Sequence, residues 1–385
     1  MIKKLLPIFL FLSILLLPSC GSGKTDLTSP DDLEDTMANT PVSTESTSAP
    51  SSLQTTQTTS AVQEPSPAFR TLENSTIRGL YYIDYTEDYK FDEFISQGGA
   101  ASTSELVQYA YKSFPNIKLD LSALGYGCSS FCTQSSDGDT IFGRNFDMDS
   151  NHSASYLIVH TKPENGYESY STVNLKFIGI TIPKNPIDDT SPLLLTPYIP
   201  LDGINSAGLA ICVLQLDFSE IHESGANVDM TSTTIIRNVL DNAKNVDEAI
   251  EIFKNCNLNT DGYAYHYMVG EASGKSAVIE FVDNEIIVEY KTDDIQVCAN
   301  TYVTDEGIAF YKDANSADSI NRMNAIINSA KASNFNMTVE NAFSALKAAS
   351  NSNTRWSIVY NLTDKTMDIA INANFNKNFS FSFEN

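Results

Sequence analysis

The sequence predicts a layered α+β fold for the chain beyond residue 128. Short apolar stretches with an alternating pattern recur there, which is typical of β-strands. Tight polar turns such as Ser136-Asp137-Gly138-Asp139 and Thr363-Asp364-Lys365 separate neighbouring stretches and indicate antiparallel hairpins. Pairs of helical patterns interrupt the strand runs. Because runs of strands and runs of helices alternate in blocks, sheets with helices packed on their faces are expected.

The individual elements follow from hydrophobic periodicity. Strands are predicted over residues 80–85, 129–134, 140–145, 155–161, 208–216, 276–282, 285–290, 356–362 and 366–371. Helices are predicted over residues 91–95, 104–111, 232–243, 246–253, 319–332 and 339–349. Asn245 with Glu248 three residues later predicts an N-terminal cap for the helix that begins at residue 246.

Composition excludes several classes of function. The chain has 385 residues, with 24 Lys and Arg against 48 Asp and Glu, so its net charge is −24. Phosphate contacts need Lys and Arg, and nucleic acid is therefore excluded as the main partner. Four His and six Cys without a C-x-x-C pair predict neither a zinc site nor a disulfide scaffold. No glycine-rich phosphate loop is present, so the sequence predicts no cofactor and no metal.

The N-terminus reads as an export signal. Lys3 and Lys4 precede an apolar run that ends at Leu17, and Leu17-Pro18-Ser19-Cys20 resembles the bacterial lipoprotein box. The resemblance implies a signal peptide over residues 1–20, lipidation of Cys20 and attachment to the extracytoplasmic face of a bacterial cell membrane. The alternative is an ordinary cleaved signal followed by a chance cysteine.

Residues 21–68 are rich in Ser, Thr, Pro and Gln and contain no aromatic residue. Such a segment buries too little apolar surface to offset its ordering entropy, so a disordered linker is predicted. Aromatic residues begin at Phe69, and the block over residues 69–127 has strand and helix patterns of its own. A separate unit therefore precedes Cys128.

The most informative stretch surrounds Cys128. This cysteine begins a predicted strand, a polar turn follows, and the return strand ends in Gly143-Arg144-Asn145-Phe146-Asp147. Antiparallel pairing would bring Arg144 and Asp147 back beside Cys128. A guanidinium near a thiol lowers the thiol pKa, so a reactive thiolate is expected.

This pattern resembles the choloylglycine hydrolase and acid-ceramidase-like group of linear amide C–N hydrolases, which are N-terminal-nucleophile hydrolases. In that group the cysteine is followed at +16 by Arg and at +19 by Asp within G-R-N-x-D, as Cys128, Arg144 and Asp147 are here. Three later motifs resemble the group in order, namely the D-G-x-N turn that begins at Asp202, the His266-Tyr267-Met268-Val269 stretch and Ala299-Asn300-Thr301. The resemblance implies a catalytic domain over residues 128–385. Its fold would be a four-layer αββα sandwich, with two stacked, mainly antiparallel sheets between helix layers.

The resemblance also implies roles for single residues. Cys128 would be the nucleophile, exposed as a new N-terminus by autocleavage of the Gly127–Cys128 bond, and its free α-amine would act as the general base. Asp147 would orient that amine, and Arg144 would lie against the thiol and the substrate carbonyl. Asn300 would donate to the oxyanion of the tetrahedral intermediate.

The motifs identify two further candidate catalytic positions less specifically. Relatives carry an Asn after the strand that follows the D-G-x-N turn, and this chain has Gln215 there. A later Arg is usual as well. Arg322, which opens a helix after Asn300, is the predicted residue, and Arg355 is the alternative.

The block before Cys128 resembles the pro-segments of acid-ceramidase-like and isopenicillin-N acyltransferase-like proteins. Residues 69–127 are therefore interpreted as a pro-segment that is cut from residues 128–385 but stays associated with them. If the two fragments separated, the lipid on Cys20 would no longer hold the enzyme at the membrane.

Three functions remain open at this point. The first is a surface-anchored amidase that hydrolyses a linear non-peptide amide of a small molecule through a thioester on Cys128. The second is an acyltransferase of the isopenicillin-N acyltransferase-like type. The third is a lipoprotein that binds a small ligand without catalysis. A papain-like pair of Cys128 with His266 is also conceivable, although the papain signature is absent. Cys132, on the same strand face as Cys128, is interpreted as core packing, with a disulfide or redox role as the alternative.

Overall fold

The computed structural model describes residues 68–71, 80–85, 87–114, 126–148, 156–180, 191–216, 220–311 and 317–383. The predicted signal peptide, Cys20 and almost all of the predicted linker lie outside these residues, although the first described strand begins at Ala68. Within the described ranges, no helix has both the length and the apolar character that crossing a membrane requires.

Seventeen strands and seven α-helices make up the described chain. The strands are β1 (Ala68–Thr71), β2 (Leu80–Tyr85), β3 (Gly127–Gln134), β4 (Thr140–Asp147), β5 (Tyr156–Thr161), β6 (Ser169–Asn174), β7 (Asp202–Asn205), β8 (Leu209–Gln215), β9 (Val228–Thr231), β10 (Cys256–Asn259), β11 (Tyr265–Glu271), β12 (Ser276–Val282), β13 (Glu285–Tyr290), β14 (Ile295–Ala299), β15 (Thr354–Asn361), β16 (Thr366–Ile371) and β17 (Phe379–Ser382). The helices are α1 (Phe91–Ser96), α2 (Thr103–Ser113), α3 (Thr234–Asn242), α4 (Val246–Lys254), α5 (Asp305–Phe310), α6 (Ala317–Ala332) and α7 (Val339–Ala348). Two 3-10 helices span Leu175–Ile178 and Ser191–Tyr198.

Two large sheets organise these strands. One has nine strands in the order β1-β2-β5-β6-β7-β8-β11-β12-β13, and the other has six in the order β14-β3-β4-β15-β16-β17. All neighbours in the six-stranded sheet are antiparallel. In the nine-stranded sheet, β2 and β5 form a parallel pair among antiparallel ones. The chain therefore builds most of each sheet from hairpins.

The two sheets pack face to face between helices. Strand β3 contacts β8 and β11 across the interface, and β12 contacts β14. Helices α3 and α4 cover the outer face of the nine-stranded sheet, whereas α6 and α7 cover the outer face of the six-stranded sheet. This is a four-layer αββα arrangement within an α+β fold, and the predicted fold class is confirmed.

Burial on both faces explains the composition of the central strands. Every residue of β4 is buried, including Arg144 and Asn145, because the strand lies between the other sheet on one side and α7 on the other. A second, smaller core between the six-stranded sheet and its helices includes Phe131, Ile326 and Leu346. The site described below lies where β3 and β4 meet the end of the inter-sheet core.

The predicted pro-segment forms part of the same core. Strand β2 pairs with β5 of the nine-stranded sheet. Phe94 of α1 and Tyr109 of α2 lie against Tyr198, with ring centroids 5.5 and 5.9 Å away. These side chains join one continuous hydrophobic cluster that extends through both sheets. The segment before Cys128 is thus a structural component of the fold rather than an appendage.

Most predicted elements are present, with ends shifted by a few residues. Three strands near the site were not anticipated, namely β6, β7 and β14. Strand β6 reads Ser-Tyr-Ser-Thr-Val-Asn, and all six residues are buried. Its mostly polar sequence gives no apolar pattern by which a buried strand could be predicted. The motif at Asp202, which the sequence had suggested to be a turn, begins instead with strand β7, and its turn lies at residues 206–208 with Gly208 at φ 88°. A positive φ at that position favours glycine.

Candidate active site

The β3–β4 hairpin carries the centre of the site. In its antiparallel register Gly127 pairs with Asp147, Cys128 with Phe146 and Ser130 with Arg144. Side chains alternate across a strand, so Cys128 and Arg144 lie on the face that looks into the inter-sheet core. The spacing along the chain places the thiol and the guanidinium together, as the hairpin predicted.

Arg144 reaches the thiol and is held there by backbone acceptors. Its Nη2 donates to Cys128 Sγ at 3.1 Å and to the Val213 carbonyl at 2.8 Å. Its Nη1 donates to the Leu201 carbonyl and to Asp202 Oδ2, the latter at 2.6 Å. Its Nε is buried and has no hydrogen-bond acceptor among the described residues. One donor of this guanidinium is therefore left for another group near the sulfur.

Asp202 is the buried counter-ion of Arg144, and sequence reasoning assigned it no role. Both side chains are 0% exposed. Besides Arg144, the Asp202 carboxylate accepts from Thr172 Oγ1 at 2.5 Å, Tyr360 OH at 2.7 Å and Trp356 Nε1 at 3.3 Å. A buried carboxylate needs such a set of donors to offset its desolvation. These contacts fix the position from which Arg144 faces the thiol.

The pKa of the Cys128 thiol is raised, contrary to the expectation from the sequence. Cys128 is fully buried in the uncleaved chain, and burial raises its pKa more than the hydrogen bond and charge of Arg144 lower it. Asp147 adds to the rise, whereas Arg322 opposes it. The arginine contact is present as predicted, but it does not yield a thiolate while the sulfur remains covered.

Asn300 and Arg322 hold the backbone of Cys128. The Cys128 amide donates to Asn300 Oδ1 at 2.6 Å, and Asn300 Nδ2 donates to the Gln215 carbonyl at 2.6 Å. Arg322 Nη1 donates to the Cys128 carbonyl, and Nη2 donates to Asn300 Oδ1 at 3.0 Å. Arg322 Nε donates to Asp318 at 2.8 Å. Both backbone groups of the nucleophile thus have a side-chain partner.

Asp147 lies beside the peptide bond that precedes Cys128. It accepts from Thr354 Oγ1 at 2.6 Å and from Asn351 Nδ2 at 3.3 Å, and it lies 3.8 Å from Arg322 Nη1. A Cβ placed on Gly127 would be 3.2 Å from the Asp147 Cβ and 3.4 Å from Oδ2. Burial raises the pKa of Asp147, and its hydrogen bonds and Arg322 oppose that rise. The carboxylate therefore lies beside Gly127, the residue whose bond to Cys128 the predicted cleavage would break.

Gln215 contacts the residue two positions before the nucleophile. Its Oε1 accepts from the Tyr126 amide at 2.8 Å. The Tyr126 ring packs against Phe146, with centroids 5.2 Å apart, and stacks on Tyr265 at 5.9 Å. The Gln215 side chain therefore binds the predicted pro-segment, and the Gln215 backbone carbonyl accepts from Asn300.

A cavity of about 250 Å³ adjoins the Gly127–Cys128 bond. Its walls are mainly polar and come from both sides of that bond: Tyr126, Gly127, Asp147, Met148, Asp318, Arg322, Asn351 and Asn353. Cys128 itself is not among them. The cavity reaches the bond on the side of Asp147 and Arg322, whereas the sulfur lies on the other side with Arg144.

Three other predicted candidates occupy structural positions. Arg355 Nε donates to the Met148 carbonyl, so Arg322, not Arg355, contacts the nucleophile. His266 Nε2 faces the Ala299 carbonyl at 2.8 Å, and Nδ1 faces Glu280 at 3.2 Å. Both ring nitrogens are thus engaged away from the sulfur, and the papain-like alternative has no geometric support. Cys132 is a free, buried thiol whose pKa burial raises to about 11.

One family model matches the second half of the chain. Residues 196–381 match the sequence model of the family described as acyl-coenzyme A:6-aminopenicillanic acid acyl-transferase. The matched stretch includes Gln215, Asn300 and Arg322 and begins after Cys128, Arg144 and Asp147. A search of curated protein sequences gives no significant match.

Two solved structures are similar in part. Penicillin V acylase from Agrobacterium tumefaciens is 17% identical, with a TM-score of 0.46 over 63% of this chain and 83% of that one. A mutant of conjugated bile acid hydrolase from Clostridium perfringens is 16% identical, with a TM-score of 0.46 over 67% of this chain and 93% of that one. The match of residues 196–381 to the 6-aminopenicillanic acid acyl-transferase family confirms the resemblance to choloylglycine hydrolase-like, N-terminal-nucleophile proteins that the sequence motifs indicated.

Proposed function

We propose that this protein is a surface-anchored cysteine amidase that hydrolyses a linear non-peptide C–N amide bond of a small molecule through a thioester. The observation that carries the proposal is the contact of Arg144 Nη2 with Cys128 Sγ, together with the side-chain partners on both backbone groups of Cys128. Anchoring rests on the lipoprotein-box resemblance at Cys20.

Maturation begins with attack of Sγ on the Gly127 carbonyl. A bond forms between sulfur and the carbonyl carbon, the Gly127–Cys128 C–N bond breaks, and the thiol proton passes to the departing nitrogen. Water then hydrolyses this thioester, leaving a carboxyl group on Gly127 and a thiol with a free α-amine on Cys128. Asp147 lies beside Gly127 and would hold the new amine.

Turnover repeats the same bond changes on the substrate. The α-amine, with a pKa near 8, takes the thiol proton as sulfur attacks the amide carbonyl and returns it to the leaving amine. Asn300 Oδ1 can still accept from the freed amine, and the second N–H of its Nδ2, whose other N–H is donated to the Gln215 carbonyl, would stabilise the oxyanion. The Nε of Arg144, which has no acceptor among the described residues, is a further donor on the guanidinium that contacts the sulfur. Water releases the acyl group and restores the enzyme.

An acyltransferase is the second candidate, favoured by the family match of residues 196–381. In that reaction an amine, rather than water, would take the acyl group from the thioester. Supplying an amide substrate with and without a competing amine separates the two functions. Free carboxylic acid as the main product supports the amidase, and transfer to the added amine supports the acyltransferase.

The pro-segment would remain bound after cleavage. Strand β2 is paired with β5, and the Tyr89 hydroxyl donates to the buried Asp241 at 2.8 Å. Tyr198 OH donates to the Tyr89 carbonyl at 2.5 Å. Removing the segment would expose its apolar side chains and leave Asp241 without this donor. Retention would keep a lipid on Cys20 linked to the catalytic domain.

Intact mass and N-terminal sequencing of the purified protein test the proposal. Two fragments are expected, the larger beginning at Cys128 and labelled by a thiol-reactive probe. Cys128→Ala should give one uncut chain without turnover, whereas Cys132→Ala, on the same strand, should still be cut. Full activity in an uncut chain would contradict the proposal. If neither the unsubstituted protein nor Cys128→Ala turns over an amide and both bind it with the same affinity, the non-catalytic binding lipoprotein is favoured.

A further inference from the structure

The Tyr126 ring occupies an aromatic pocket beside the nucleophile. Its centroid lies 5.2 Å from that of Phe146 and 5.9 Å from that of Tyr265. Phe146 stacks on Trp356 at 4.0 Å, and Tyr263 packs edge-on against Tyr265 at 6.5 Å. The walls therefore belong to residues after Cys128 and are held by neighbours of their own. They stay in place when the cut end of the retained pro-segment, which carries Tyr126, moves away from the sulfur.

The chemistry of maturation shows which half of a substrate this pocket would receive. This step rests on the proposed function, in which Sγ of Cys128 attacks the Gly127 carbonyl. The thioester that forms carries Gly127 on its acyl side, and Tyr126 follows directly. A substrate carbonyl must reach the same sulfur, so the acyl chain of the substrate starts where the Gly127 carbonyl stood. That acyl chain then extends into the pocket that the Tyr126 ring filled.

The covalent path measures how far the ring is from the reacting carbon. From the Gly127 carbonyl carbon it runs through Cα and N of Gly127, then through C, Cα and Cβ of Tyr126, which is about five atoms. The Tyr126 amide, which branches from this path at the Tyr126 Cα, donates to Gln215 Oε1 at 2.8 Å. The site thus has a hydrogen-bond acceptor part of the way along and stacking surfaces at the end.

We propose that this pocket is the acyl pocket of the mature enzyme and that it takes an acyl group with an aryl ring about five atoms beyond the carbonyl. Stacking on Tyr265 and Phe146 selects the ring over an aliphatic chain of equal length. An N–H donor next to the carbon that bears the benzyl group gains the contact to Gln215. Acyl chains with the ring directly on the α-carbon leave the pocket unfilled.

Acylation of the mature protein by p-nitrophenyl esters tests this length rule without requiring the natural amine. In each reaction a bond forms between Sγ and the acyl carbon, the ester C–O bond breaks, and the thiol proton ends in solution as nitrophenolate leaves. The esters are ω-phenylalkanoates with one to eight methylenes, each compared with a linear alkanoate of matched length. We expect the fastest acylation near five methylenes, and the aryl ester about threefold to tenfold faster than its linear match.

Variants of Tyr265 connect that preference to the pocket. Tyr265→Leu should reduce the ratio of aryl to linear acylation rates. Tyr265→Phe keeps the ring and should retain the ratio, and it provides a measurement even if the leucine variant does not fold. Tyr290→Leu, at an exposed position on β13, is the matched control and should leave the ratio unchanged.

Two failures are distinguishable. If no ester of either series forms an adduct on Cys128, the nucleophile assignment is wrong, and the pocket proposal falls with it. If adducts form on Cys128 but aryl and linear esters react equally, or the optimum lies at one methylene, the proposed function stands and the acyl-pocket proposal is overturned.

Discussion

Arg144 Nη2 lies 3.1 Å from Cys128 Sγ, and yet the pKa of that thiol is raised. Full burial of the sulfur penalises the thiolate more than one guanidinium stabilises it, since Arg144 already shares its charge with Asp202. In the uncleaved chain the side chains around Cys128 are thus already assembled, and Cys128 is held mainly as a thiol. Cleavage would change that balance by adding an amine and removing Gly127.

The rate of maturation should rise with pH. A thiol whose pKa is raised above 9 holds only a small thiolate fraction at neutral pH, and that fraction grows about tenfold per pH unit below the pKa. Appearance of the larger fragment, followed on denaturing gels between pH 6 and 9 (roughly the stable range), should therefore accelerate throughout. Cys128→Ser, whose hydroxyl does not titrate there, is the control. A rate that levels off below neutral pH would show that the thiol is already ionised.

Asp202→Asn should destabilise the protein and slow maturation. Removing one charge of a buried pair leaves Arg144 uncompensated, a change that typically costs about 3–5 kcal/mol. Urea unfolding measures the loss, and the fragment assay measures the effect on Arg144. Glu251→Gln, which breaks the surface pair with Lys254, is the matched control and should leave the unfolding midpoint in place. Equal unfolding midpoints for both variants would show that the buried Asp202–Arg144 pair contributes no more to stability than the surface Glu251–Lys254 pair.

Asn300→Ala should impair turnover more than binding. Loss of one donor to an oxyanion lowers kcat by about 10²–10³-fold in comparable sites. Because Asn300 also holds the Cys128 amide at 2.6 Å before cleavage, turnover is to be measured on protein confirmed as cut. Asn242→Ala, on the exposed end of α3, should behave as the unchanged protein. A rise in KM with kcat intact would place Asn300 in substrate binding and remove it from the oxyanion role.

Tyr89→Phe should weaken the hold on the cleaved pro-segment. The substitution removes the donor to Asp241 and leaves a buried carboxylate oxygen short of a partner, which costs about 1–3 kcal/mol. Gel filtration of the cut protein in increasing urea should show the fragments separating at a lower concentration than in the unsubstituted protein. Tyr111→Phe alters an exposed ring of the same segment and serves as the control. Fragments that already separate without urea in the unsubstituted protein would refute retention.

Local sequence determined the hairpin and its chemistry. The interval from Cys128 to Arg144 and Asp147 spans one turn and two short strands, so strand pairing alone sets which residues face each other. The resemblance to N-terminal-nucleophile hydrolases, which the same motif indicated, and the αββα layers that it implied are both confirmed. The pairing register is a short-range property, which a periodic pattern with a polar turn specifies well.

Tertiary structure decided what long-range packing controls. Asp202 reaches Arg144 from the other sheet, and the Gln215 side chain contacts the Tyr126 amide. Arg322 rather than Arg355 contacts Cys128, because α6 covers the six-stranded sheet. The direction in which the pKa of the Cys128 thiol shifts also depended on burial, to which neighbours distant in the chain contribute. Spacing along a strand specifies which side chains share a face, but only the packing of the two sheets determines how much water they retain.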